Sequence, residues 1–160
     1  MKRVDKILKH KSFVKFLEKI YAYEEDRVFC RHNMEHFLAV ARIAQILNLK
    51  QKLKIDKAYI YAAALLHDVG RFMQYEEGTP HEKASAVLAP AILKDCGFQE
   101  QEIDAIVEAI RNHRNSEIEK EKSFSGIIYR ADKLSRSCYI CPVEKECNWK
   151  ENKKNLKLRY

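Results

Sequence analysis

Four polar side chains stand where a helical chain should place apolar ones. His36 is followed by Val40, Ile43 and Leu47 at offsets of 4, 7 and 11. At about 100° per residue these fall within roughly 40° of the histidine, so its imidazole points the way the core-facing side chains point. His67 and Asp68 close the most apolar stretch of the chain, Ala58 to Leu66. Asp132 lies one turn after Ile128 on another apolar segment. An aspartate taken out of water without a partner is costly, and coordination of a cation is one way to offset that cost. Imidazole nitrogen and carboxylate oxygen together suit Fe, Mn, Zn, Co or Ni. Any one of these residues alone reads as a hydrogen-bonded core histidine or a helix-capping carboxylate. Four of them on three helices point to a metal site.

The segments that must position these groups read as helices. Phe13, Phe16, Leu17 and Ile20 recur at three- and four-residue steps within 12–23, and Val40, Ile43, Ala44 and Leu47 do the same within 33–48. Residues 56–69 are apolar nearly all round, as a central buried helix should be, and Gly70 is the expected stop. Thr79, Pro80 and Glu82 spell a capping box at the start of the next helix, which runs to about Asp95. Ile103, Ile106, Val107 and Ile110 mark a helix over 100–113, and another spans about 124–136; the charged stretch 115–122 reads as a surface loop. The chain of 160 residues, 46% hydrophobic and 33% charged, is one domain's worth and too apolar for general disorder. Only 4 Gly and 3 Pro leave little material for the turns of a barrel or sandwich. The expected fold is all-α: a single compact bundle of about six to seven helices over residues 1–137, followed by a basic, cysteine-containing tail over 138–160. The longest apolar run, nine residues, is too short to span a bilayer. The N-terminus lacks the features of a secretory signal, so the cytoplasm is the expected compartment.

The runs His36-Phe37-Leu38-Ala39-Val40-Ala41, Ala64-Leu65-Leu66-His67-Asp68-Val69-Gly70 and Ala131-Asp132-Lys133-Leu134 resemble the HD-domain superfamily of metal-dependent phosphohydrolases, over roughly residues 24–137. The resemblance implies that His36, His67, Asp68 and Asp132 meet at one metal. It also implies that a metal-bound water or hydroxide attacks a phosphorus centre while the metal polarises the phosphoryl oxygen. His81 and His113 are arranged as in the HD hydrolases acting on dinucleoside polyphosphates. By that likeness Asp68 bridges two ions and His81 and His113 hold the second; with one ion they bind substrate or move protons, and His113 also reads as a plain surface histidine. His32 precedes His36 by four, on the same helical face one turn earlier, and is placed near the site entrance. The superfamily also contains di-iron oxygenases, the alternative enzyme class.

Phosphate calls for cations besides metal. Arg71 directly follows the His67–Gly70 run, where many relatives carry lysine, and Arg136 follows Asp132 by one turn; both are the expected phosphate-binding groups. The net charge is +7, yet it is uneven. Residues 1–19 hold seven Lys/Arg against two acids and residues 145–160 six against two, leaving the body of the chain slightly acidic. Solvated termini are the expected reading, with a non-catalytic nucleotide- or nucleic-acid-binding module as a further alternative. Cys138, Cys141 and Cys147 place three thiols within ten residues. They read as a small zinc or iron–sulfur site with Cys30 as the fourth ligand, or else as free reduced thiols. The substrate expected is a small phosphorylated molecule, a nucleotide first. The absence of GxGxxG, GxxxxGK[ST] and a serine nucleophile elbow disfavours dinucleotide oxidoreductases, P-loop enzymes and α/β-hydrolases.

Overall fold

The computed structural model describes all 160 residues, and every regular element is helical. Eight α-helices follow in order: α1 (Lys2–Lys9), α2 (Lys11–Tyr23), α3 (Met34–Gln51), α4 (Lys57–Leu66), α5 (Arg71–Glu77), α6 (His81–Asp95), α7 (Glu100–Asn112) and α8 (Phe124–Leu134). Short 3-10 turns occupy Ser116–Lys120, Cys138–Ile140, Glu144–Glu146 and Glu151–Lys153.

The nearly all-apolar segment becomes the axis of the bundle. Ala62, Ala63, Ala64, Leu65 and Leu66 of α4 are fully buried, and α1, α3, α6, α7 and α8 all pack against that helix. On α3 the stripe Phe37, Val40, Ala44 and Leu47 faces the core, and His36 on the same side is buried with it. Asn33 caps this helix by accepting a 3.0 Å hydrogen bond from the His36 amide, which fixes the turn that carries the histidine. At the other end Asn48 donates to Ile55 O (2.9 Å) and accepts from Ile55 N (3.1 Å), tying the α3–α4 connection to the helix end.

Several local expectations are corrected. The central helix stops at Leu66, so His67–Gly70 form a tight turn rather than its last residues. Gly70 is not a left-handed stop. A Cβ at that position would run into the Ser85 backbone nitrogen and Ala84 on α6, and the Gly70 amide donates to Ser85 Oγ at 2.9 Å. The residue is glycine because two backbones touch there. The capping box at Thr79 does not form: α6 starts one residue later than its register requires, with Pro80 at the cap and no side-chain cap bond. A capping box does form at Gln99 and Glu102 on α7. The 115–122 stretch is not a plain loop but is organised by the turn Ser116–Lys120, which buries Ile118. Helices α1 and α5 lie beyond the segments that periodicity marks. The first buries Val4 and Ile7 against α4, and the second stacks Phe72 on Phe16 of α2 with ring centroids 5.3 Å apart.

Candidate metal centre

Three parts of the chain bring their polar groups to one point: the first turn of α3, the His67–Gly70 turn, and the last turns of α8. His36 Nε2 lies 3.5 Å from Asp68 Oδ2 and 3.4 Å from Asp132 Oδ1. His67 Nε2 lies 3.0 Å from Asp68 Oδ2 and 3.8 Å from Asp132 Oδ1. One ligand atom from each of the four residues falls within 4.8 Å of all the others, and all four residues are buried.

A second set shares one member. Asp68 Oδ1, the other carboxylate oxygen, sits 3.1 Å from His81 Nε2 and 3.6 Å from His113 Nε2, and those two nitrogens are 3.2 Å apart. Asp68 thus turns one oxygen to each set. His113, read from the sequence as a surface histidine among other options, is 1% exposed.

The far nitrogens of the rings decide which lone pairs face inward. His67 Nδ1–H donates to Ala64 O (2.7 Å), and His113 Nδ1–H donates to Ile110 O (2.6 Å). Ser135 Oγ–H donates to Asp132 O at 2.7 Å and lies 3.0 Å from His36 Nδ1. With its single proton spent on a carbonyl, the hydroxyl must accept from His36 Nδ1–H. At His36, His67 and His113 this makes Nε2 the nitrogen turned into the site, the orientation that metal-ligating histidines require. His81 Nδ1 meets both an acceptor, Gln74 Oε1, and a donor, Arg71 Nη1 at 2.7 Å. His36 Nε2, His67 Nε2 and Asp68 Oδ1 are buried with no hydrogen-bond partner. Orphaned acceptors of that kind fit a cation.

The electrostatics agree. Burial by itself would raise the Asp68 carboxyl, yet the imidazoles of His67, His32, His113 and His36 around it outweigh that and hold it well below the usual carboxylate range. Asp132 is likewise pushed up by burial and brought well below its ordinary value by Lys133, His36, His67 and Arg136. Burial lowers His67, but the two aspartates prevail and raise it to about 10. A cation among these groups would take the place of that proton.

Asp68 and Asp132 open onto a cavity of about 680 Å³ with a basic lining: Arg27, Arg71, Arg114, Lys133, Arg136, Lys150 and Lys153. Phe29, Tyr129 and Trp149 supply its aromatic walls. Arg136 lies 3.5 Å from Asp132 Oδ1, and Arg71 Nη1 lies 2.7 Å from His81 Nδ1, so both expected arginines reach the site. Lys150 and Lys153 come from the basic tail, which is therefore more than a solvated end. His32 lines the same cavity but not from a helical face, because α3 begins only at Met34. Its position comes instead from Glu24, whose carboxylate accepts from both the His32 backbone amide and Nδ1 and from Tyr75 Oη (2.6 Å).

Glu24, Gln74 and Ser135 escaped the sequence reading. Ser135, three residues after Asp132, had a signal in its spacing; Glu24 and Gln74 had none. The cysteines behave differently from the histidines. Cys30, Cys138 and Cys147 line the cavity rim, Cys30 is exposed, and Cys138, Cys141 and Cys147 are half-buried. The sets drawn within 4.8 Å are both histidine–aspartate; the thiols form no such set.

With that geometry in place, the likenesses to other proteins can be read. Residues 33–137 match the family model of the HD domain, and the chain belongs to the HD-domain family. It is 44% identical, over the full length of both chains, to an uncharacterized protein of Clostridium beijerinckii. It is 31% identical over 90 residues to ribonuclease Y of Malacoplasma penetrans, a match that covers 56% of this chain and 17% of that one. A crystal structure of a predicted HD superfamily hydrolase from an uncultured Thermotogales bacterium shares the fold, with a TM-score of 0.65 over 91% of this chain and 80% of that chain at 23% identity.

Proposed function

We propose that this protein is a metal-dependent phosphohydrolase that cleaves a phosphoester or phosphoanhydride bond of a small phosphorylated substrate, a nucleotide in the first instance. The observation that carries the reading is Asp68, buried between two imidazole sets at the base of a cation-lined cavity. His36, His67, Asp68 and Asp132 would hold the first ion, and Asp68, His81 and His113 a second. A divalent transition ion bound there would supply a water activated near neutral pH and a Lewis acid for the phosphoryl oxygen.

The chain's own groups do the rest. Asp68 and Asp132, held ionised in a buried site, fix negative charge where cations must bind. Arg71 and Arg136 present planar forks that grip two phosphate oxygens at once. Lys150 and Lys153, farther along the wall, neutralise additional phosphates, and the rings of Trp149 and Phe29 offer faces to a base. His32, placed by Glu24 with Nε2 3.9 Å from Asp68 Oδ2, is set to hold a proton at the cavity mouth. Burial lowers it to about 4, so it stands there as a neutral base.

Metal-loaded protein should release phosphate from nucleotides, and His67→Ala should lower the rate by at least about a hundredfold. Phosphate release by His67→Ala at the wild-type rate would end this reading. The imidazole-rich second set also suits iron, so an oxygenase is the competing reading. Oxygen consumption by the iron-loaded protein, without phosphate release, would favour it.

A further inference from the structure

We propose that Cys30, Cys138, Cys141 and Cys147 hold an iron–sulfur cluster of the [4Fe–4S] class at the rim of the cavity, separate from the histidine–aspartate centre. Three of the thiols come from one short stretch built on the turns Cys138–Ile140 and Glu144–Glu146, and the fourth comes from the α2–α3 connection far earlier in the chain. The fold nevertheless brings Cys30, Cys138 and Cys147 onto the wall of one cavity, with Cys141 three residues after Cys138.

The tail needs such a tie. None of its three 3-10 turns contains a buried residue, so little apolar burial holds it in place. Two polar clips close it around the thiols. Asn155 donates to Lys133 O (2.7 Å) and Arg136 O (3.0 Å) just ahead of Cys138. Lys154 donates to Glu144 O (2.7 Å) between Cys141 and Cys147. On the opposite side Arg27 donates to the Cys30 carbonyl at 2.9 Å, so cations face a centre that four thiolates would make negative.

Spacing selects the kind of centre. Tetrahedral zinc with Zn–S near 2.3 Å needs sulfurs about 3.8 Å apart. The two histidine–aspartate sets of this same chain are drawn in to within 4.8 Å, and no three of the thiols gather so closely. A cubane takes each thiolate on a different iron atom, so its ligands stand farther apart than those of a single ion. The C-x2-C step of Cys138 and Cys141 is also a spacing that such clusters use. Bound there, the cluster would pin Trp149 and Lys150, two and three residues beyond Cys147, as a wall of the cavity. This inference stands whether or not the hydrolase reading does.

The test is acid-labile sulfide, which no ion held by histidine and aspartate carries. Full-length protein would be purified without oxygen, supplied with ferric iron, sulfide and an excess of a thiol reductant, desalted and assayed for sulfide and visible absorption. About four sulfides per chain and a brown colour are expected in the wild type, in His67→Ala and in Cys96→Ser, whose buried thiol lies at the end of α6. Cys141→Ser and Cys30→Ser should lose both. Because Cys30 is exposed, its substitution leaves the packing alone, and an unchanged circular dichroism spectrum ties the loss to the ligand. Retention of sulfide by both variants overturns the proposal. So does a sulfide-free wild type, including one that instead holds a single zinc ion lost in Cys141→Ser.

Discussion

The histidine–aspartate centre and the cysteine tail are both groups of metal-ligand residue types on one cavity, yet they are built in opposite ways. The centre draws its groups from packed helices and a turn braced against one. Each imidazole is fixed by a hydrogen bond at its far nitrogen, and the ligand atoms converge within 4.8 Å. The tail is built on 3-10 turns without buried residues, held by a few polar clips, and no three of the thiols gather within that distance. Where a core fixes the ligands, the site's shape comes from the fold and an ion is a guest. Where it does not, the bound group must supply part of the shape itself.

The sharpest way to break this contrast is Asp68→Ala. Both ligand sets lose their shared carboxylate, so metal content at the centre and phosphate release should fall to background, a loss of about a thousandfold or more. Sulfide bound at the cysteines should be untouched; its disappearance in metal and sulfide analyses would merge the two sites into one. A gentler test is Ser135→Ala, which removes the group orienting His36. Competition with a chelator should show metal binding weakened about 10- to 100-fold with thermal stability nearly unchanged. On the tail, Asn155→Ala removes two hydrogen bonds to carbonyls, costing about 1 kcal/mol locally. Tryptic cleavage within 145–160 should quicken while the melting temperature of the bundle stays put.

The smallest effect concerns the cavity rim. Burial would raise the Glu24 carboxyl, but hydrogen bonds from His32 and Tyr75 bring it down to about 2. A carboxyl lowered in the folded state contributes stability above its ordinary range and loses it as pH falls toward the folded value. Acid unfolding between about pH 5 and about pH 2 should therefore flatten in Glu24→Gln, as followed by circular dichroism.

The centre was legible in the sequence because it breaks a rule that apolar neighbours make visible. His36 shares a stripe with Val40, Ile43 and Leu47, and all four residues are buried. Asp132 breaks the apolar run of α8 in the same way. Less legible were groups whose neighbours give no contrast. Glu24 sits in the acidic run Glu24-Glu25-Asp26, and nothing local marks it as the buried member at 2% exposure. The helix α1, rich in lysine, shows too few apolar positions to declare a period, and α5 is too short to display one. The capping box failed at Thr79 through a shift of one residue, a register that packing of α6 decides and local propensity does not.

The contact between Gly70 and Ser85 reaches beyond its own turn. Because the backbone at Gly70, two residues after Asp68, is pressed against α6, and α6 begins with His81, the spacing of the two stretches of main chain that carry the shared carboxylate and the outer imidazole is set by that contact. Side-chain changes elsewhere in the cavity can alter which molecule is admitted while leaving that interval as it is.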